Sequence, residues 1–205
     1  MDAIIKSAIN KSISYPAYRE LVKQFALEQA TTGNEQTQAH VNFTKLNERR
    51  MKRWDKTLKV SESAKKRLEE FDGKITWLVI TESWCGDAAH VLPALNKIAE
   101  ITPNINYRVV LRDDNPKLMD AYLTNGNRAI PKVIIIDDTT GEVIATYGPR
   151  PSEAASYVKR FKAMNGQLTP EFKEDLQHWY NSNKGKNVIE DVTEILCRLQ
   201  PSVCQ

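Results

Sequence analysis

Residues Ile75–Ile80, Ile-Thr-Trp-Leu-Val-Ile, form the longest near-continuous apolar run in the chain. Such a run is far too short to span a membrane, which takes roughly 20 residues. Its β-formers suit a central strand covered on both faces. A strand of that kind demands neighbouring strands beside it and helices over it.

The sequence that follows supplies both. Asp87 to Glu100 carries Val91, Leu92, Leu95, Ile98 and Ala99 at helical spacing. Ile105–Leu111 reads as a second strand, and Asn115-Pro116 opens a short helix that Gly126 closes. Val133–Ile136 is a third strand, Asp138-Thr139-Thr140-Gly141 a turn, and Val143–Tyr147 a fourth strand. Pro151-Ser152 begins another helix. The order is β-α-β-α-β-β-α, which predicts parallel pairing across the helices and an antiparallel edge pair at the turn.

The flanks read as helical. Ser14 caps a helix with Pro16 in its first turn, and Tyr18, Leu21, Val22, Phe25 and Leu27 trace its apolar stripe. Thr31-Thr32-Gly33-Asn34 is a stop and restart. A second stripe runs through Phe43, Leu46, Met51, Trp54 and Leu58, and a third helix spans residues 61–71, with Ala64, Leu68 and Phe71 inward. After Met164, Thr169-Pro170-Glu171 starts one more helix, with Phe172, Leu176 and Trp179 on one face. A last stripe carries Val188, Ile189, Val192, Ile195, Leu196 and Leu199 up to Pro201. The expected organisation is an N-terminal helical extension over 1–73, a core over 74–165 and C-terminal helices over 166–205, packed together.

Composition narrows the functional classes. The 205 residues are 41% hydrophobic and 27% charged, with a net charge of +3. These values fit a globular chain and exclude collagen-like or wholly disordered readings. The N-terminus, Met-Asp-Ala-Ile-Ile-Lys-Ser, lacks the basic head and apolar stretch of a secretory signal, and no membrane span is seen. The expected compartment is a reducing cytoplasm, where cysteines are free, catalytic or metal-binding rather than structural. Between Lys45 and Arg67, ten Lys/Arg face three acids. Without interleaved aromatics, this excess reads as a solvated face before it reads as a nucleic-acid or acidic-partner surface.

Chemistry is expected at Trp84-Cys85-Gly86-Asp87-Ala88, where the first strand enters its helix. A cysteine there faces unpaired N–H groups and the positive helix end, and both favour thiolate. This block, with Ala129-Ile130-Pro131 opening the third strand and the β-α-β-α-β-β-α order, resembles the thioredoxin superfamily over about residues 74–164. Ser83-Trp84-Cys85-Gly86-Asp87-Ala88 with Tyr147-Gly148-Pro149-Arg150-Pro151 resembles, more narrowly, a bacterial branch with a Trp-Cys-Gly-Asp motif and an N-terminal helical extension. The resemblance implies a thioredoxin-like α/β fold with a central mixed sheet of about four strands. It implies Cys85 as nucleophile, Pro131 as the cis-proline facing it, Ile130 as the backbone partner of a bound peptide, and Trp84 with Gly86 beside the substrate.

One departure matters. Where thioredoxins have a second cysteine, this chain has Ala88, so a mixed disulfide at Cys85 needs an external thiol to resolve it. Cys197 lies on an apolar stripe, and Cys204 sits near the end as a tail thiol. Asp87 either caps the helix or accepts a proton from Cys85; as a charge it raises the thiol pKa. His90 reads as surface or packing, and His40 and His178 as isolated. Asp113-Asp114 reads as a solvated loop, and Arg150 as a carboxylate binder or loop organiser. No Cys/His spacing suggests a metal, and no cofactor is expected.

Two functional classes remain open. The first is monothiol redox chemistry at Cys85 on a protein or small-molecule disulfide, which expects an exposed cysteine of lowered pKa. The second is a non-catalytic binding or adaptor module that uses the groove beside Ile130 and Pro131, which expects a poorly reactive Cys85.

Overall fold

The computed structural model describes residues 1–204, the side chain of Cys204 excepted. The tail thiol expected at Cys204 therefore lies outside the described side chains. In chain order the elements are α1 (Ala3–Lys11), β1 (Ile13–Ser14), α2 (Tyr15–Leu27), α3 (Gln38–Thr57), α4 (Glu62–Glu69) and β2 (Ile75–Thr81). Then follow α5 (Ala88–Ile101), β3 (Ile105–Leu111), α6 (Pro116–Ala121), β4 (Lys132–Asp137), β5 (Val143–Tyr147), α7 (Ser152–Asn165), α8 (Pro170–Asn183) and α9 (Lys186–Leu199).

The sheet is mixed, in the order β1-β3-β2-β4-β5. Strands β2 and β3 pair in parallel across α5, and β4 and β5 are antiparallel across the turn, as expected. Strand β4, however, runs antiparallel to the central strand β2, so the parallel pairing expected across α6 is not found. The reason is that the short α6 segment returns the chain to the other side of β2 in the opposite direction. All of β2 is buried, as a strand covered on both faces must be. Five strands form the sheet where about four were expected. The additional one is β1, two residues inside the segment expected to be helical throughout. It exists because Ile13 and Ser14 pair with Val109 and Arg108 on the open edge of β3. Arg108 reinforces the pairing by donating to Ser12 Oγ at 2.8 Å and to the Ser12 carbonyl at 2.5 Å.

Side-chain caps start the helices where the sequence places them. Ser14, Ser61 and Thr169 accept hydrogen bonds from the backbone N–H of Ala17, Ala64 and Phe172. Each such cap is worth about 1 kcal/mol. One apolar core joins Tyr18, Val22, Met51 and Trp54 to the sheet, to Leu92 and Leu95 of α5, and to Val192 and Leu196 of α9. Cys197 belongs to this core. A second cluster, with Ala154, Val158, Phe172, Leu176 and Tyr180, closes α7 on α8.

The α3 stripe departs from its expected phase. Phe43 is 47% exposed, whereas Thr44 and Asn47 are buried. Two polar residues turn inward because they have polar partners at the end of β2. Leu27 is exposed as well, at the last turn of α2.

His90 packs between α3 and α8. The indole of Trp54 can only donate, so His90 Nδ1 accepts its Nε1–H at 2.9 Å. That leaves the proton on Nε2, 3.0 Å from Gln177 Oε1. The ring stacks on Tyr180 with centroids 4.4 Å apart. Burial, with repulsion from Arg50 and Arg53, drives its pKa down to about 3 despite the Gln177 bond. Between that value and the ordinary 6.5 the unfolded chain binds the proton and the folded chain does not. Stability therefore rises with pH across this window and is lost as pH falls through it. At about pH 4 the loss from this residue reaches about 3 kcal/mol relative to neutral pH. Urea unfolding at pH 7 and pH 4 measures it, and His90→Gln is expected to show a smaller difference between the two.

Candidate functional site

The loop from β2 to α5 is held by residues far away in sequence. The Ser83 hydroxyl lies 2.7 Å from Thr44 Oγ1 and 3.2 Å from Thr31 Oγ1, and accepts the Thr32 N–H at 3.0 Å. The Ser83 N–H donates to Thr32 Oγ1 at 2.8 Å. Asn47 Nδ2 donates to the Ser83 carbonyl at 2.9 Å. Next to it, the fully buried Glu82 carboxylate accepts from the Thr32 hydroxyl and, at 2.9 Å, from the Asp113 N–H. Burial raises the Glu82 pKa, and the Thr32 and Asp113 hydrogen bonds pull it back.

Asp113 is tied in as well. It accepts from the Asn34 N–H at 2.9 Å and from Arg112 Nε at 2.8 Å, so it does not behave as a freely solvated loop carboxylate. A side chain at Gly33, where φ is +84°, would place its Cβ 2.7 Å from Asp113 Oδ2. Only glycine fits this turn without displacement.

Cys85 is a free thiol, 7% exposed, whose Sγ donates to the Ile130 carbonyl at 3.3 Å. The Ile130–Pro131 peptide is cis, as is Gly148–Pro149. The two loops touch closely: a Cβ on Gly148 would lie 2.4 Å from the Pro131 carbonyl oxygen. Gly86 follows Cys85 on the surface of the turn, and Trp84 stacks on His40 with centroids 4.5 Å apart. His40 is therefore not isolated; it covers the Trp84 ring, and Arg112 approaches that ring at 4.8 Å.

Asp87 makes no capping hydrogen bond to α5. Its carboxylate instead accepts from the Tyr180 hydroxyl at 2.8 Å and pairs with Arg150 Nη2 at 2.8 Å. That answers the Arg150 alternatives: it binds a carboxylate, and the carboxylate is Asp87. Burial raises the Asp87 pKa against the pull of Arg150 and Tyr180.

The thiol does not have the exposed, lowered-pKa character that the redox reading expected. Burial and then the Asp87 charge push its pKa up to about 12. The backbone N–H groups of Ala88 and Asp87 and the Arg150 cation act in the opposite direction, and lose. The helix-end effect anticipated from sequence is real in sign but smaller than desolvation.

These groups face a cleft of about 500 Å³, of the size that takes a small ligand or a few residues of peptide. Its lining includes Cys85, Asp87, Ile130, Trp84, Phe43 and Leu176. A larger cleft of about 740 Å³ lies between α4, α9 and the end of β5, lined by residues such as Arg67, Asp191 and Arg198. It contains no cysteine, and its Asp191 is engaged by Ser152. Among the described residues no group of three or more His, Cys, Asp or Glu is placed to hold a metal ion, and no helix is long and apolar enough to cross a membrane.

Of the residues expected from sequence, the structure brings Trp84, Cys85, Gly86, Asp87 and Ile130 to this cleft, while Pro131 is not among its lining residues. The surrounding Thr32, Thr44, Asn47, Glu82 and Tyr180 were not anticipated. Only Thr44 and Asn47 carried a signal, as polar residues one turn apart beside an apolar stripe.

Site-resolved alkylation reads this electrostatic balance. Wild-type Cys85 is expected to label slowly, with no titration midpoint up to pH 9. Asp87→Asn removes the opposing charge and leaves Arg150 beside the sulfur. Labelling at pH 8 is then expected to speed up by roughly tenfold, the effect of about one pKa unit. An unchanged rate would assign the raised pKa to burial alone.

Comparison with known proteins agrees with this architecture. No curated protein matches the chain. A crystal structure of a protein of unknown function from Pseudomonas aeruginosa superposes with a TM-score of 0.57 at 20% identity, covering 74% of this chain and 84% of its own. An HIV epitope-scaffold superposes with a TM-score of 0.54 at 18% identity, covering 90% and 98%. At such identities the likeness concerns the fold. The family model described as thioredoxin matches residues 33–163, starting well before the expected core boundary and taking in α3 and α4. The match spans more than half of the sequence, and the chain belongs to the thioredoxin family.

Proposed function

We propose that this protein carries out thiol–disulfide exchange through Cys85 alone, coupled to docking of the disulfide in the cleft. One observation supports the reading: a free thiol, a buried carboxyl and the Ile130 carbonyl meet at the wall of a cleft sized for a substrate. Cys85 Sγ attacks one sulfur of a bound disulfide. The substrate S–S bond breaks, a Cys85 mixed disulfide forms, and the other half leaves as a thiol. The proton lost by Cys85 passes to the leaving sulfur, directly or through Asp87. An external thiol then attacks the mixed disulfide, because Ala88 offers no second sulfur. A reducing cytoplasm would supply that thiol.

The raised pKa is compatible with this chemistry. At neutral pH it leaves about one thiol in 10⁵ ionised. The more basic thiolate is the stronger nucleophile, so the net deficit against an ordinary cysteine is about a hundredfold. Positioning a disulfide against the thiol supplies far more, with effective molarities of 10⁵ M and above, so about a hundredfold is readily overcome. Cys85 is thus quiet toward reagents at large and active toward what the cleft holds.

A second reading, a pure binding module, is favoured by the burial of Cys85 and by Ala88. Reduction of insulin disulfides with dithiothreitol as external thiol separates the two. Exchange predicts acceleration over dithiothreitol alone, abolished in Cys85→Ser, with a Cys85 adduct seen by mass spectrometry. No acceleration and no adduct would favour binding without chemistry.

A further inference from the structure

The cations lining the cleft are not equivalent. Arg150 is paired with Asp87, Arg112 with Asp113 at 2.8 Å, and Arg128 with Asp120 at 2.6 Å. Arg50 also lines the cleft, from α3, yet no carboxylate among the described residues lies within 4.0 Å of it. Its Nη1 donates to Asn47 Oδ1 at 3.1 Å, and Asn47 is itself fixed to the Ser83 carbonyl. The guanidinium is therefore oriented by the same residues that hold the Cys85 turn. A Cβ placed on Gly86 would lie 3.9 Å from Arg50 Nη1, so the charge sits against the residue that follows the thiol.

Holding a half-buried cation without a counter-ion costs stability. Burial lowers the Arg50 pKa, and repulsion from Arg53 and Arg49 lowers it further. Nothing in the packing requires a guanidinium here, since its one hydrogen bond goes to an amide oxygen. A planar, five-donor cation in an apolar cleft matches a carboxylate. The rest of the lining suits apolar side chains beside that carboxylate: Phe43 is 47% exposed with no place in the core, and Leu168 and Leu176 form the facing wall. Lys173, also on that wall and without an ion-pair partner among the described residues, adds a second positive charge.

We propose that Arg50 determines the specificity of the cleft, and that its occupant is a peptide disulfide bearing a carboxylate side chain next to its half-cystine. The disulfide rests on the exchange reading above; the preference for an acidic peptide does not. In the step itself, Cys85 Sγ displaces the leaving thiol from the peptide half-cystine while the neighbouring carboxylate sits on Arg50. The charge orients the disulfide and takes no part in bond making.

Two peptides test this, each with one cysteine carried as its 2-thiopyridyl mixed disulfide. In one the cysteine is flanked by Phe and Glu, in the other by Phe and Gln. Release of thiopyridone reports Cys85 attack, and the leaving group is identical in both. The acidic peptide is expected to react faster by roughly tenfold, the size of one charge-assisted hydrogen bond. That ratio should fall toward unity in Arg50→Gln, persist in part in Arg50→Lys, and shrink with added salt. Lys52→Gln removes the same net charge from an exposed position lining another cleft, and should leave the ratio unchanged. Equal rates for both peptides in the wild type would overturn the inference while leaving exchange intact. If neither peptide reacts, the exchange reading fails, and calorimetry of Cys85→Ser with the corresponding cysteine-to-serine peptides decides the rest. Tighter binding of the acidic peptide that depends on Arg50 would sustain the charge assignment, and equal affinities would overturn it.

Discussion

The hydrogen bonds converging on Ser83 are the constraint on which the rest of the site depends. This side chain and its backbone are held by Thr31, Thr32, Thr44 and Asn47, all from the segment before the first long strand. With every partner buried, the cluster is satisfied internally, and losing one member would leave the others unpaired at a cost of about 1–3 kcal/mol. The N-terminal helices are therefore part of the site. They fix the turn that presents Trp84 and Cys85, and through Asn47 they also aim Arg50. The family match, beginning at residue 33, takes in Thr44 and Asn47 of this cluster but not Thr31 or Thr32.

The chemistry of Cys85 follows from how its surroundings are divided. Desolvation and Asp87 oppose ionisation; two backbone N–H groups and Arg150 favour it. Arg150 cannot act fully on the sulfur because it is paired with Asp87, and Asp87 is held in place by Tyr180 from α8. Tyr180 stacks in turn on His90, which Trp54 of α3 and Gln177 of α8 hold by hydrogen bonds. The C-terminal helices thus set the electrostatics of the thiol, as the N-terminal ones set its position. A ligand that excludes the Asp87 carboxylate from the sulfur while leaving Arg150 in place would shift this division toward thiolate.

Much of the fold was legible because it is written in local patterns. The apolar run at Ile75 gave a buried central strand, and β3 and β5 begin and end where alternation and turn residues placed them. The caps at Ser14, Ser61 and Thr169 were readable from a hydroxyl followed by helix-forming sequence. Strand β1 was not, since two residues carry no period and their extended form comes from the β3 edge. The inward turn of Thr44 and Asn47 defeated a reading by hydrophobicity, because their partners lie at the far end of another element. For the site, Cys85 and Asp87 stood out by type and position. The pairing of Asp87 with Arg150 and Tyr180 joins residues distant in sequence, and the dominant effect on the thiol, burial, is a property of the packed chain alone.

The central claim is that the N-terminal polar cluster holds the Cys85 turn in its quiet state. Native-state hydrogen exchange of wild type and Thr44→Val, resolved for the peptide spanning residues 82–89, tests it most directly. The account predicts faster exchange in that peptide in the variant while β4 and β5 keep their protection. Unchanged exchange at residues 82–89, or a loss spread evenly over the whole sheet, would contradict it.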